Sequence, residues 1–232
     1  TYGYTIITEE GESVADTMMD FGILRLQPEE TYTCRLEKER AFLLMNGRVT
    51  FRCTGIETEA ERQSLFEENP VILHVPQGIP VRIAAETEVE IAVMRTHNET
   101  AFTPKLYQKE DTIDEHRGAG TMGETSTRIV RTTFDDTNAP EANLVIGEVI
   151  NFPGKWSSYP PHHHPQPEIY HYRFLPERGF GHATAGDNVY AVRNGDTVKI
   201  LNDVSHPQVA APGYAMYYIW VIRHLENNRY GG

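Results

Sequence analysis

Apolar residues along this chain gather in short runs separated by turn-forming groups. Phe21–Leu26, Ala41–Leu44, Arg48–Cys53, Val71–Val75, Val81–Ala84 and Val89–Met94 are rich in Val, Ile, Leu and Phe. Between them stand Met45-Asn46-Gly47, Glu68-Asn69-Pro70 and Pro76-Gln77-Gly78. Short apolar runs at near-regular spacing predict strands of a sandwich or barrel. Asn46-Gly47 between two such runs predicts a hairpin, since a type I′ turn needs positive φ at both central residues. Only Glu57–Phe66 reads as a short helix, with little apolar periodicity.

The rhythm lapses over the polar stretch Thr96–Ser126 and then resumes. Strands are expected at Thr127–Phe134, Leu144–Phe152, Glu168–Phe174, Tyr190–Val192, Thr197–Ile200 and Ala215–Ile222. Two β-rich halves of similar length follow, with a shared grammar. In the first, Pro70–Pro80 runs strand then Val75-Pro76-Gln77-Gly78-Ile79-Pro80. In the second, Gly195–Pro207 runs turn, strand, then Asn202-Asp203-Val204-Ser205-His206-Pro207.

The chain has 232 residues, 39% of them hydrophobic and 10% aromatic, which is ample for a packed core. Its 33 acidic against 21 basic residues give a net charge of −12, which argues against phosphate-driven binding of nucleic acid. No apolar run approaches the roughly 20 residues that span a bilayer, and no membrane association is expected. Thr1-Tyr2-Gly3-Tyr4 lacks a signal-peptide pattern and an initiator Met, and a cytoplasmic location is expected. Cys34 and Cys53 are too few for a disulfide scaffold.

Chemistry concentrates in Tyr159-Pro160-Pro161-His162-His163-His164-Pro165-Gln166-Pro167-Glu168. In an extended chain alternate side chains share a face, which turns His162 and His164 together and His163 away. A strand beginning at Glu168 aims Glu168, Tyr170 and Tyr172 at one face. Two imidazoles and a carboxylate suit a divalent transition metal, with His206 as a fourth ligand and positions left for water or substrate. The competing reading is a surface histidine run that binds metal adventitiously. His163, His171, His182 and His224 read as surface or hydrogen-bonding residues. His74, His97 and His116 read as lying in segments without a partner cluster.

The order His162-x-His164-x3-Glu168, with His206 after the Gly195-Asp196 turn, resembles the metal signature of the cupin superfamily. Gly154-Lys155-Trp156-Ser157-Ser158-Tyr159-Pro160-Pro161-His162-His163-His164 and Glu168-Ile169-Tyr170-His171-Tyr172-Arg173-Phe174 are similar to the 5-deoxy-glucuronate isomerases of inositol breakdown. So are Gly179-Phe180-Gly181, Val192-Arg193-Asn194-Gly195-Asp196, His206-Pro207 and Ala210–Val221. The likeness is dense from Glu148 to Val221 and thin before Arg128. It departs at His182-Ala183-Thr184, where that family has Gln-Arg, and at Asn202–Ser205, where it has Pro-Arg-Gly-Tyr.

The resemblance implies an all-β bicupin of two tandem jelly-roll barrels: 1–115 without a metal site, and 116–232 carrying His162, His164, Glu168 and His206 around one divalent ion. Zinc, manganese, iron and nickel all suit that donor set. In the first half Pro80 is taken as the counterpart of His206 and cannot ligate. The implied reaction converts the aldose 5-deoxy-glucuronate to the ketose 5-dehydro-2-deoxy-gluconate through an enediol. Tyr170 and Tyr172 are candidates to donate or relay a proton, with barrel filling as the alternative; Lys155 is a candidate partner for the substrate carboxylate, or an ordinary surface lysine. Arg173 alternates away from Glu168 and is expected to be solvated, and the face of Glu148 stays open. Other readings are a cupin acting on a different sugar acid, an Fe-dependent dioxygenase, or a sugar-acid binding protein without turnover. By analogy with cupin barrels, pairing through sheet edges into a homodimer is expected.

Overall fold

The computed structural model describes residues 1–231 and is built almost wholly of antiparallel strands. It divides into two compact units. One comprises Thr1–Thr112 and Asp135–Leu144, the other Ile113–Phe134 and the chain from Val145 on.

The first unit contains β1 (Gly3–Thr8), β2 (Asp20–Leu26), β3 (Thr31–Cys34), β4 (Glu39–Cys53), β5 (Ile56–Arg62), β6 (Ile72–Val75), β7 (Val81–Ala85), β8 (Val89–Thr96) and β9 (Lys105–Tyr107). One path of pairing runs β1-β2-β8-β4-β6-β9, and β4 also pairs with β5 and β7. Asn46-Gly47 is not a hairpin. It lies inside the continuous strand β4, where the register against β8 shifts between Leu44 and Asn46. Gly47 has φ 100°, and a Cβ there would collide with the Glu88 carbonyl, so the residue that suggested a turn instead bends one strand. That bend carries β4 from its pairing with β6 to its pairing with β5 and β7.

The helix expected at Glu57–Phe66 is likewise a strand over most of its length, β5. Its acidic residues are spaced by two, not by the helical period. Glu57 faces Arg52 and Glu61 faces Arg48 across the β4–β5 ladder, with ion pairs of 2.9 and 3.2 Å. Ala60 turns the other way, into the core opposite Val49. Alternation with cross-strand charge pairing therefore prevails over helix propensity.

His74 has partners, contrary to the sequence reading. Its Nε2 lies 2.8 Å from Glu39 Oε1, both side chains being buried. Glu39 also accepts from Asn98 Nδ2 and the backbone N–H of Asn143, each at 2.7 Å. Burial by itself would push the Glu39 carboxyl up. The bonds from His74, Asn143 and Asn98 outweigh it and hold that carboxyl below the usual range.

The second unit contains β10 (Glu115–Arg117), β11 (Arg128–Phe134), β12 (Leu144–Asn151), β13 (Trp156–Ser157), β14 (Glu168–Leu175), β15 (Phe180–Ala185), β16 (Asn188–Arg193), β17 (Thr197–Ile200), β18 (Gln208–Ala210) and β19 (Ala215–Arg223). They form a six-stranded sheet, β10-β11-β12-β19-β14-β17, and a four-stranded one, β13-β18-β15-β16. Tyr170, Tyr172 and Phe174 of β14 pack with Val130, Val149, Ala183, Ala210 and Tyr218 in one core, which places the inner face of the jelly roll. Glu168 opens β14 on that same face, two residues before Tyr170.

Candidate metal centre

His162, His163 and His164 lie in an extended loop without ladder pairing, not in a strand, because the prolines on both sides lack the N–H that a ladder needs. The alternation survives. The rings of His162 and His164 lie roughly parallel, with centroids 6.4 Å apart, while His163 points outward to Asp203, Nδ1 to Oδ1 being 2.7 Å. His206 stands two residues before β18, fully buried, with its ring edge-on to His162 at 4.8 Å and to His164 at 5.0 Å.

The Nδ1 atom of each inward-facing imidazole meets a backbone carbonyl. His162 faces Pro160 O at 3.2 Å, His164 faces Gln166 O at 3.0 Å and His206 faces Val204 O at 2.9 Å. A carbonyl only accepts, so each Nδ1 carries a proton and each ring turns its Nε2 to the interior. Glu168 Oε2 lies 3.3 Å from His164 Nε2 and 3.4 Å from His206 Nε2. Glu168 Oε2 and His206 Nε2 are buried and have no hydrogen-bond partner. Electron-rich atoms so close together, with their other partners already fixed, fit a shared cation. His164, Glu168 and His206 form a group that could hold a metal ion, their ligand atoms all within 4.8 Å of one another. His162 flanks that group at the solvent edge. Partial burial and, after it, repulsion from His206 keep its imidazole below the usual pKa, which favours the neutral form a metal needs.

Beneath the imidazoles lies a layer of hydroxyls. Tyr170, buried in the core, has its ring 6.0 Å from His206 and its hydroxyl 3.1 Å from Ser158 Oγ. Tyr218 reaches Ser157 Oγ at 2.5 Å, and Tyr172 donates to Gln208 Oε1 at 2.5 Å. Burial pushes Tyr218 up to about 12, against the opposing bonds from Ser157 and Ser158. Burial and then the Glu168 charge push Tyr170 well above the ordinary phenol range. These groups stay protonated near neutrality and act as donors.

The KduI/IolB family model matches residues 2–230. The chain belongs to the KduI/IolB family. A 5-deoxy-glucuronate isomerase from Bacillus licheniformis is 28% identical, over 95% of this chain and 87% of the relative. An IolB-like protein from Salmonella typhimurium LT2 superposes with a TM-score of 0.87 at 25% identity, covering 96% of this chain and 89% of that one. A cupin 2 conserved barrel domain protein from Leptotrichia buccalis gives a TM-score of 0.57 at 12% identity, covering 95% and 88%, and shows the shared cupin fold.

In this KduI/IolB member the other candidates fall elsewhere. Lys155 is half-buried, and its ammonium donates to the Glu124 carbonyl. Arg173 faces away from the inner core as expected, but it is buried rather than solvated. Its Nη1 meets His171 Nε2 at 2.6 Å and donates to the Tyr172 carbonyl. Glu148 takes the outer face too, accepting from Tyr217 Oη at 2.6 Å. Ser157, Ser158 and Gln208 went unassigned in the sequence, although Gln208 shares the parity of His206 and the serines sit within the Trp156–Pro161 string.

The first unit has a different solution at the corresponding place. His206 precedes β18 by two residues, and the residue two before β7 is Ile79; Pro80 thus matches Pro207. Neither Ile79 nor Pro80 has a side chain that can ligate.

Proposed function

We propose that this protein is a metal-dependent aldose–ketose isomerase acting on 5-deoxy-glucuronate, the substrate class named for its curated relatives. The observation that carries the reading is the convergence of the Nε2 lone pairs of His164 and His206 on a buried, unpartnered oxygen of Glu168. Those three residues, with His162 as the fourth, would hold one divalent ion. When bound, it supplies a Lewis acid that stabilises negative charge building on a substrate oxygen, a contribution of several kcal/mol.

The protein's own groups do the remainder. The carbonyls of Pro160, Gln166 and Val204 fix the tautomers, so the ligands need no reorganisation. Isomerisation removes a proton from the carbon beside the aldehyde and delivers one to the former carbonyl carbon. Tyr170, protonated and beside His206, would donate to the enediol oxygen or relay its proton through Ser158, a role supported by its hydroxyl's bond to that serine. Tyr172 lies deeper with its proton committed to Gln208, and it braces the β18 end of the site.

The test is turnover. Protein purified without a histidine tag and loaded in turn with zinc, manganese, iron and nickel is incubated with 5-deoxy-glucuronate and followed by proton NMR. Conversion to the ketose with at least one metal, abolished by chelation, is expected. Binding without conversion under every loading would overturn the enzymatic reading.

A further inference from the structure

Arg128 is a buried cation without an anion. The residue is 8% exposed, and its guanidinium donates to two backbone carbonyls, Ser126 O at 2.8 Å and Tyr159 O at 3.1 Å. Among the described residues no carboxylate bonds to it. Arg131, three positions along the same strand, is instead buried against Asp114 at 2.7 Å, with Glu148 at 3.8 Å.

Strand parity gives Arg128 its direction. Val130 and its register partner Val149 belong to the inner core with Tyr170 and Tyr218, and Arg128 is one step along the same face. Its partner Tyr159 follows Ser158, whose hydroxyl bonds Tyr170, and the Tyr170 ring is next to His206. Directly opposite Arg128 on β10 stands Arg117, a like-charge pairing that a sheet ordinarily avoids. Burial and, to a lesser degree, the like charge of Arg117 disfavour the charged guanidinium. An uncompensated positive charge held in that position is suited to an incoming anion.

We propose that Arg128 is the counter-ion for the carboxylate of the sugar acid, holding the end of the substrate remote from the carbons that react. The proposal rests on the sugar-acid reading above and adds the residue that selects the acid. Two of five N–H groups are spent on carbonyls. The rest of the planar fork offers a carboxylate a charge-assisted, bidentate partner. Lys155 and Arg173, the cations singled out in the sequence, are engaged elsewhere.

The test compares wild type with Arg128→Gln and Arg128→Lys, each full length and metal loaded, in steady-state kinetics on 5-deoxy-glucuronate and in calorimetric binding of glucuronate and glucose. Arg128→Gln is expected to keep its metal and raise KM for the acid, and Kd for glucuronate, roughly 10- to 100-fold. Arg128→Lys should lose less, and the weak affinity for glucose should be equal in all three proteins. A KM or Kd within about twofold of wild type, equal losses for glucuronate and glucose, or loss of metal would overturn the assignment. Should Arg128→Gln fail to fold, Arg128→Lys decides by the same readouts. Wild type that binds glucuronate without isomerising 5-deoxy-glucuronate would refute the isomerase reading alone, and the Kd comparison would still judge Arg128.

Discussion

Arg40 in the first unit holds the register position that Glu168 holds in the second. Arg40 pairs with Val75 on β6 and Arg95 on β8; Glu168 pairs with Ile200 on β17 and Ile222 on β19. Each opens the inner face of its strand. Where Glu168 offers an acceptor, Arg40 brings its own cation, fully buried and donating to the carbonyls of Cys34, Lys38, Pro76 and Ile79. A fixed guanidinium plugs the first barrel at the place where the second gathers metal ligands.

Removing that plug strands buried carbonyls. Arg40→Met is expected to cost roughly 3 kcal/mol or more in urea unfolding, from several acceptors left without donors. A loss below about 1 kcal/mol would mean that the guanidinium is not what satisfies them.

Glu39 makes the first unit acid-sensitive. Its carboxyl is held below the ordinary glutamate value, so the stability it contributes is complete above about pH 4.3 and is lost as pH falls through the lowered folded pKa. Glu39→Gln should therefore be destabilised by several kcal/mol at pH 7, with the gap from wild type narrowing in acid. Urea titrations at pH 7 and pH 3 measure this, and a gap independent of pH would contradict it.

Both that network and Arg128 show where sequence reading stops. The alternation of Glu168, Tyr170 and Tyr172 was legible because period two depends only on neighbours along one strand. The convergence of His162, His164 and His206 was legible because few residue patterns suit a shared cation. Arg128, Glu39 and Arg40 drew no reading in the sequence, since their burial is decided by carbonyls and side chains far away in sequence, such as Tyr159, Asn143 and Pro76. The β5 misreading has the same origin: Glu57 and Glu61 take their roles from Arg52 and Arg48 on the partner strand.

Tyr170 and Tyr172 should separate kinetically. Tyr170→Phe is expected to lower kcat roughly 100-fold with metal content and KM retained, as for loss of a proton donor. Tyr172→Phe breaks the bond to Gln208 and should act more on stability than on kcat. Equal kcat losses in the two would remove Tyr170 from its assigned role.

Gly147 is required by contact rather than by φ. A Cβ there would meet the Trp220 ring and the Arg131 carbonyl. Gly147→Ala should lower stability by about 1–3 kcal/mol by overpacking, read as a drop in thermal midpoint. An unchanged midpoint would show that Trp220 can move aside.

The most direct measurement is elemental analysis of untagged protein beside Glu168→Ala and His206→Ala, with circular dichroism on each. One divalent transition-metal ion per wild-type chain, and none in either variant while the β-sheet spectrum persists, is the expected outcome. Wild type without a stoichiometric ion, or variants that keep theirs, would contradict the metal centre.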